Sequence, residues 1–356
     1  MELVCTSLTL PKSPVPSAAK QISAAIAAAV TSAISFEKFI ELSLYSENGF
    51  YNTIGKAGRR GDFITSPEVG PLFGAVIAQA IDARWHELDC PEKFTIVEVG
   101  AGPGSLARSV LKANLKCRHA ISYVAVETSL AQRNLHPVEV ISQDQMPSEP
   151  FVGMIIANEL LDNLPFRLFV FDGQWQEAFV VERDGKFLEV LHTVDEIPAW
   201  LPQNPSLGTR LPVQQQAQKW LASVLQVLEH GSLIVFDYCM TTEVASTKPW
   251  RDWLRTYRQH ELGLHYLSQP GEQDITSHVM IDQLAVITKP TSVSRQADWL
   301  IKHGLNSLVD EGRNYWQAHA AKPDLQAMLM RSRVSESDSL CALDGLGNFT
   351  VLEWQK

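Results

Sequence analysis

Residues 98–104, EVGAGPG, end an apolar run and open a helical pattern. Gly100, Gly102 and Gly104 allow a tight turn and let a ligand approach the backbone closely. The helix behind them would present unpaired N–H groups and a partial positive charge. Dinucleotides and other adenosine ligands both use such a turn. A dinucleotide site expects GxGxxG, whereas the spacing here is GxGxG with Ser105 next. Glu98, two residues before Gly100, would repel a pyrophosphate and attract an ammonium. S-adenosylmethionine carries adenosine and an ammonium but no phosphate, so it suits this turn better than NAD. The plainer alternative is a turn that only packs helix on strand.

Two further acids lie at useful distances. Glu127 ends the next apolar run, SYVAVE, where a carboxylate can accept hydrogen bonds from both ribose hydroxyls. Asp144 follows a third expected strand and is a weaker candidate for the adenine edge. The fourth run ends in NELLDNLPF, residues 158–166. In an open α/β sheet the carboxyl ends of the strands face the ligand crevice, which would bring Asn158, Glu159 and Asp162 to the site. Each acid could instead be a helix cap or first-turn acid. Asp237-Tyr238, ending SLIVFDY, follows the same logic with a weaker claim.

The elements that must position these groups follow from pattern. The chain has 356 residues, 45% of them apolar, and a formal net charge of −10, so it is neither disordered nor a general nucleic-acid binder. No stretch is apolar for long enough to span a membrane. Five scattered cysteines without CxxC, and histidines without HExxH, give no metal-ligand spacing. Residues 17–34 are Ala- and Ser-rich and acid-poor, but lack the Arg of a transit peptide and the charged start of a secretory signal. Ile22, Ile26 and Val30 recur there at helical spacing.

From residue 93 strands alternate with helices, the pattern of a parallel α/β core with buried strands. Residues 167–192 break the rhythm with three β-rich runs punctuated by Asp172-Gly173 and Asp184-Gly185, an antiparallel meander. The expected organisation is an N-terminal helical region with a glycine-rich loop (1–90) and a first part of the core (91–166). An inserted meander and loop (167–212) and a second part of the core (213–356) follow. The second part carries a substrate-side insertion at 240–290. Residues 213–231 are expected to be a helix stopped by Gly231. HPVEVIS should form the third strand. LRTYRQH, residues 254–260, reads either as a solvated helix face or as a receptor for an acidic patch on a protein substrate.

GDFITSPEVGPLFG (61–74), VEVGAGPG (97–104), NELLDNLPF (158–166), VFDY (235–238), LRTYRQH and PGEQDITSHV (270–279) together resemble the MidA family of S-adenosylmethionine-dependent methyltransferases. The resemblance runs in order from about residue 20 to the last residues. It implies a Rossmann-like, seven-stranded class I methyltransferase core with an N-terminal helical region and insertions. It also implies S-adenosyl-L-methionine as cofactor and a protein arginine as acceptor, on a respiratory complex I subunit in mitochondrial members. The location would be the cytoplasm of a bacterium or the mitochondrial matrix of a eukaryote. Asn163 and Phe166 stand where many members have Ala and Val, a change on the substrate side.

Carried over residue by residue, Glu98, Gly100, Gly102, Gly104 and Glu127 match the cofactor site. Gly61, Asp62, Thr65, Ser66, Pro67 and Glu68 match a loop that would wall the cofactor. Asp274, Thr276 and His278 match DITxH. An arginine acceptor requires carboxylates that hold and orient its guanidinium, and Glu68, Glu159 and Asp162 are the candidates. His278 is a candidate proton acceptor. The alternatives are an S-adenosylmethionine-binding assembly chaperone with secondary catalysis, a small-molecule methyltransferase, or a dehydrogenase. The oligomeric state stays open, a homodimer included.

Overall fold

The computed structural model describes residues 17–52, 65–258 and 261–356. Gly61 and Asp62 lie outside the described residues, as do Gln259 and His260 of the LRTYRQH run.

Seven strands form the central sheet, in the spatial order Ser292–Arg295, Thr350–Gln355, Leu228–Asp237, Phe151–Asn158, Phe94–Val99, Ile121–Val126, Ile141–Gln143. Only Thr350–Gln355 runs against its neighbours. The central strands read as continuous apolar runs because both faces are covered. Phe94, Ile96, Met154, Ile156, Ile234 and Phe236 face helices Pro71–Glu87 and Ser105–Lys112. Val97, Val99, Ile155, Ala157, Leu233 and Val235 face helix Gln215–Val227 on the other side. The strand order reverses between Phe94–Val99 and Phe151–Asn158, so the ligand crevice opens at their carboxyl ends.

The meander is Arg167–Phe171, Trp175–Arg183 and Lys186–His192. Asp184 and Gly185 both have positive φ, 52° and 71°, as a two-residue hairpin turn requires. The expected loop at 193–212 instead ends in a strand, Arg210–Val213, that pairs with Arg167–Phe171. Ile34–Ser35 adds to the long central strand of the meander. Helices Ala18–Ala28 and Phe36–Tyr45 cover this sheet, and Ile22, Phe36, Phe39, Phe166 and Phe169 share one core.

Several expectations change. Ile22 and Ile26 are buried, but Val30 lies past the end of the helix and is fully exposed. The helix over 213–231 stops at Val227 rather than at Gly231, which sits inside the next strand. A side chain at Gly231 would run into the Gly153 carbonyl of the neighbouring strand, so packing explains that glycine, not helix termination. LRTYR is a strand, Leu254–Arg258, paired with Asp274–Ser277, not a helix face. The third strand holds only Ile141–Gln143. Two helices to which the pattern assigned nothing, Leu305–His319 and Leu325–Cys341, pack behind the sheet.

Candidate functional site

Gly104 opens helix Ser105–Lys112 in the left-handed region at φ 79°, and Gly100 and Gly102 also have positive φ. A side chain at Gly104 would also press within 3.1 Å of the Pro137 ring. Gly102 is held from both sides. Its N–H donates to Glu127 Oε2 at 2.9 Å, and its carbonyl accepts from His136 Nε2 at 2.8 Å. His136 Nδ1 pairs with Ser142 Oγ at 2.8 Å. The other Glu127 oxygen accepts from Ser129 N at 2.8 Å, so its carboxylate is fixed at the end of its strand.

Glu98 is 6% exposed and accepts from Tyr123 Oη at 2.7 Å. Burial pushes its carboxyl up to about 7, against the pull of that hydrogen bond. Glu159 follows Asn158 in the left-handed region at φ 50°, which turns its side chain back to accept from Asn158 Nδ2 at 3.0 Å. Its carboxylate also accepts from the Ser66 amide, and burial raises its pKa to about 8. Glu68 Oε1 accepts from Ser105 Oγ at 2.5 Å, tying the TSPE turn to the helix of the glycine turn.

These groups surround one cavity of about 310 Å³. Of the expected site residues, Thr65, Pro67, Glu68, Glu98, Gly100, Gly102, Glu127, Asn158 and Glu159 line it. Among the described residues the lining holds four glutamates and no Lys, Arg or His. Asn158 Oδ1 and Trp220 Nε1, both in this lining, are buried without hydrogen-bond partners, an acceptor and a donor at the wall. A cationic adenosine ligand fits this set: Glu127 for the ribose, Glu98 for an ammonium, and the turn's backbone between them. A pyrophosphate does not, because no described lining residue would balance its charge.

Five expected site residues sit elsewhere. Gly104 and Ser66 lie directly behind the lining and shape it. Asp144 is exposed and 3.9 Å from Arg133 Nη2, off the cavity. Asp162 is 3% exposed and also off the lining, with Oδ1 unpartnered. Burial and the nearby Asp237, Glu159 and Asp274 hold its carboxyl well above the usual range. His278 is away from the cavity, stacked on Tyr238 at 5.7 Å. Burial, then Arg255 and Lys248, bring its pKa down to about 4. Asp237 accepts from the amides of Leu161, Asp162 and Tyr238 and so folds the NELLDN turn.

Pattern reading overlooked Tyr45 and Tyr51, which line the cavity with rings stacked at 5.6 Å. Tyr45 Oη donates to the Asn163 carbonyl at 3.1 Å, and Tyr51 Oη to Asp274 Oδ1 at 3.1 Å. Asp274 Oδ1 also accepts from Asn163 Nδ2 at 3.2 Å and from its neighbour's amide, Ile275 N, at 2.9 Å. The Asp of DITSH therefore joins three distant segments into one wall. Tyrosines six residues apart carry no periodic signal, so pattern could not select them. Trp220, His136 and Gln132 were equally invisible, being ordinary residues of helix and turn.

A family profile described as "Putative S-adenosyl-L-methionine-dependent methyltransferase" matches residues 76–297. The mitochondrial protein arginine methyltransferase NDUFAF7 homolog of Drosophila melanogaster is 28% identical over 272 residues, 65% of this chain and 61% of that protein. Human mitochondrial protein arginine methyltransferase NDUFAF7 is 34% identical over 166 residues, 37% of this chain and 38% of that protein. The match thus spans less than two thirds of these relatives. A Burkholderia thailandensis protein crystallised with S-adenosyl-homocysteine superposes with a TM-score of 0.78 at 23% identity, covering 96% of this chain and 95% of that one. At that identity the likeness is one of fold.

Proposed function

Since this chain belongs to the MidA family of S-adenosylmethionine-dependent methyltransferases, we propose that it methylates an arginine side chain of a protein. The observation that carries the acceptor class is that the charged residues of the described lining are all glutamates, which suits a cation beside the cofactor. The curated relatives named as protein arginine methyltransferases support the same choice.

Glu127 holds the ribose, Glu98 the ammonium, and Gly100 to Gly102 the backbone side of S-adenosyl-L-methionine, with Thr65 and Pro67 closing the wall. The bound cofactor supplies an activated methyl on sulfur. Glu68 and Glu159 hold the guanidinium and aim one nitrogen. The proton that the attacking nitrogen gives up would pass to Glu159. Burial holds the Glu159 carboxyl near pKa 8, so a guanidinium bound beside it must first draw its proton off, leaving a carboxylate basic enough to take the one released in transfer. Asp162 and His278 take no part in this chemistry.

The family resemblance puts a respiratory complex I subunit first among acceptors. The mitochondrial names of the animal relatives support a matrix location in a eukaryote, and the cytoplasm is the bacterial counterpart. No helix among the described residues is long and apolar enough to cross a membrane.

The test is to incubate the protein with labelled S-adenosylmethionine and a cell extract from which this chain has been deleted. Label on arginine, absent with Glu127→Ala, is the expected result. Label on lysine or on a small molecule overturns the acceptor assignment.

A further inference from the structure

The helices at 305–341 lie beyond the residues the family profile matches, yet the back of the cavity wall rests on them. The wall is the turn Ser66–Val69, separated by Gly70 alone from helix Pro71–Glu87. Thr65, Pro67 and Glu68 of this segment face the cavity. Neither helix has a side-chain hydrogen bond from its own N-cap residue.

Two distant residues hold the segment instead. Glu336, 6% exposed on helix Leu325–Cys341, accepts from Leu72 N at 2.8 Å through Oε2. That caps the first turn of Pro71–Glu87 with a negative charge, where the helix dipole favours one. Ser332 Oγ donates to the other oxygen at 2.6 Å. A side chain at Gly70 would lie 2.3 Å from the Glu336 carboxyl carbon, so only glycine admits this cap. Gln296, fully buried, accepts from Ser66 Oγ at 2.9 Å and donates to the Leu340 carbonyl at 3.1 Å. Ser66 is itself fully buried, and its amide donates to Glu159 on the opposite side. The turn is therefore pinned between the cavity's own carboxylate and the C-terminal helix.

We infer that Gln296 and Glu336 are positioning residues for the cofactor: they hold the Thr65–Gly70 turn in its binding position before any ligand arrives. The inference rests on the cofactor reading and not on the arginine assignment. Without these bonds the ligand must order the turn itself, and affinity falls by that cost.

The test is calorimetry of S-adenosyl-homocysteine with Gln296→Leu, Glu336→Ala, Glu336→Gln and Ser66→Ala, with melting temperatures alongside. Each lost buried hydrogen bond should weaken binding about fivefold. Glu336→Gln keeps an acceptor for Leu72 N and should recover most of the affinity. Ser66→Ala combined with Gln296→Leu should be no worse than Gln296→Leu alone, because both remove the Ser66–Gln296 bond. Met330→Ala, six residues from Glu336 in the same helix and beside Gly312 of the neighbouring helix, should lower the melting temperature and leave affinity unchanged. Affinities within twofold of wild type, additive losses in the double variant, or an equal loss in Met330→Ala would each overturn the inference. Wild-type binding without arginine transfer would count against the acceptor assignment alone.

Discussion

Cofactor affinity should depend on pH through Glu98. The carboxyl is buried and has its pKa near 7 without ligand, so about half of the molecules carry it neutral at neutral pH. An ammonium placed against it requires the ionised form. The apparent dissociation constant then scales as one plus the ratio of protonated to ionised carboxyl, and rises about tenfold from pH 8 to pH 6. S-adenosyl-homocysteine is the suitable probe because it keeps the ammonium and lacks the transferable methyl. Glu159, near 8, and Asp237, near 7, titrate in the same window, so the control is Glu98→Gln. That variant should bind about tenfold more weakly at pH 8 and lose the slope. Calorimetry in two buffers of different ionisation heat should also show a proton released on binding near pH 6. A wild-type constant that stays within twofold from pH 6 to 8, or an unchanged slope in Glu98→Gln, would refute the ammonium contact.

Other outcomes follow from the same geometry. Glu159 has its folded pKa raised, so the stability its neutral form contributes is present in acid and lost as pH rises through about 8. Without ligand, Glu159→Gln should melt about 2–4 °C above wild type at pH 8.5 and no higher at pH 5, by scanning calorimetry. Gly74→Ala would set a new methyl 2.3 Å from Ser109 Cβ, where two helices cross, and should cost about 2 kcal/mol in urea titration. Asp237→Ala strands two buried amides and a half-buried one and should cost about 3 kcal/mol or more, with transfer lost. His278→Ala should keep transfer within about threefold, since the ring stacks on Tyr238 and is not part of the cavity lining.

The parts of the site that were legible in the sequence are those made by one local segment. EVGAGPG is a strand, a turn and a helix start in seven residues, and chemistry constrains each position. Glu127 was legible because the next strand of such a sheet must end beside the turn. The wall made by Tyr45, Tyr51, Asn163 and Asp274 was not, because its hydrogen bonds join residues more than 100 positions apart. Asp162 lies off the cavity lining for a related reason. Its position in the motif placed it near the crevice, but the direction of its side chain is set by the Asp237 bonds to the turn amides. The helix over 305–319 has a clear apolar face in Leu305, Leu308, Val309 and Gly312, and closer attention to helical spacing could have found it. LRTYR alternates as a strand should, but its neighbouring charges favoured a helix reading.

The antiparallel strand Thr350–Gln355 lies between Leu228–Asp237 and Ser292–Arg295, two strands that precede it in the chain. The second position from one edge of the sheet is therefore filled by its latest-made strand. During synthesis the glycine turn, Glu127 and the NELLDN turn can assemble while one edge of Leu228–Asp237 still has no partner. That edge carries Leu233, Val235 and Phe236 and a row of open backbone groups, a template for wrong pairing. Folding is then governed by one long-range closure rather than by the cofactor turn. A nascent chain arrested before residue 350 should hold a nearly built cofactor site on an incomplete sheet, the kind of intermediate that chaperones retain.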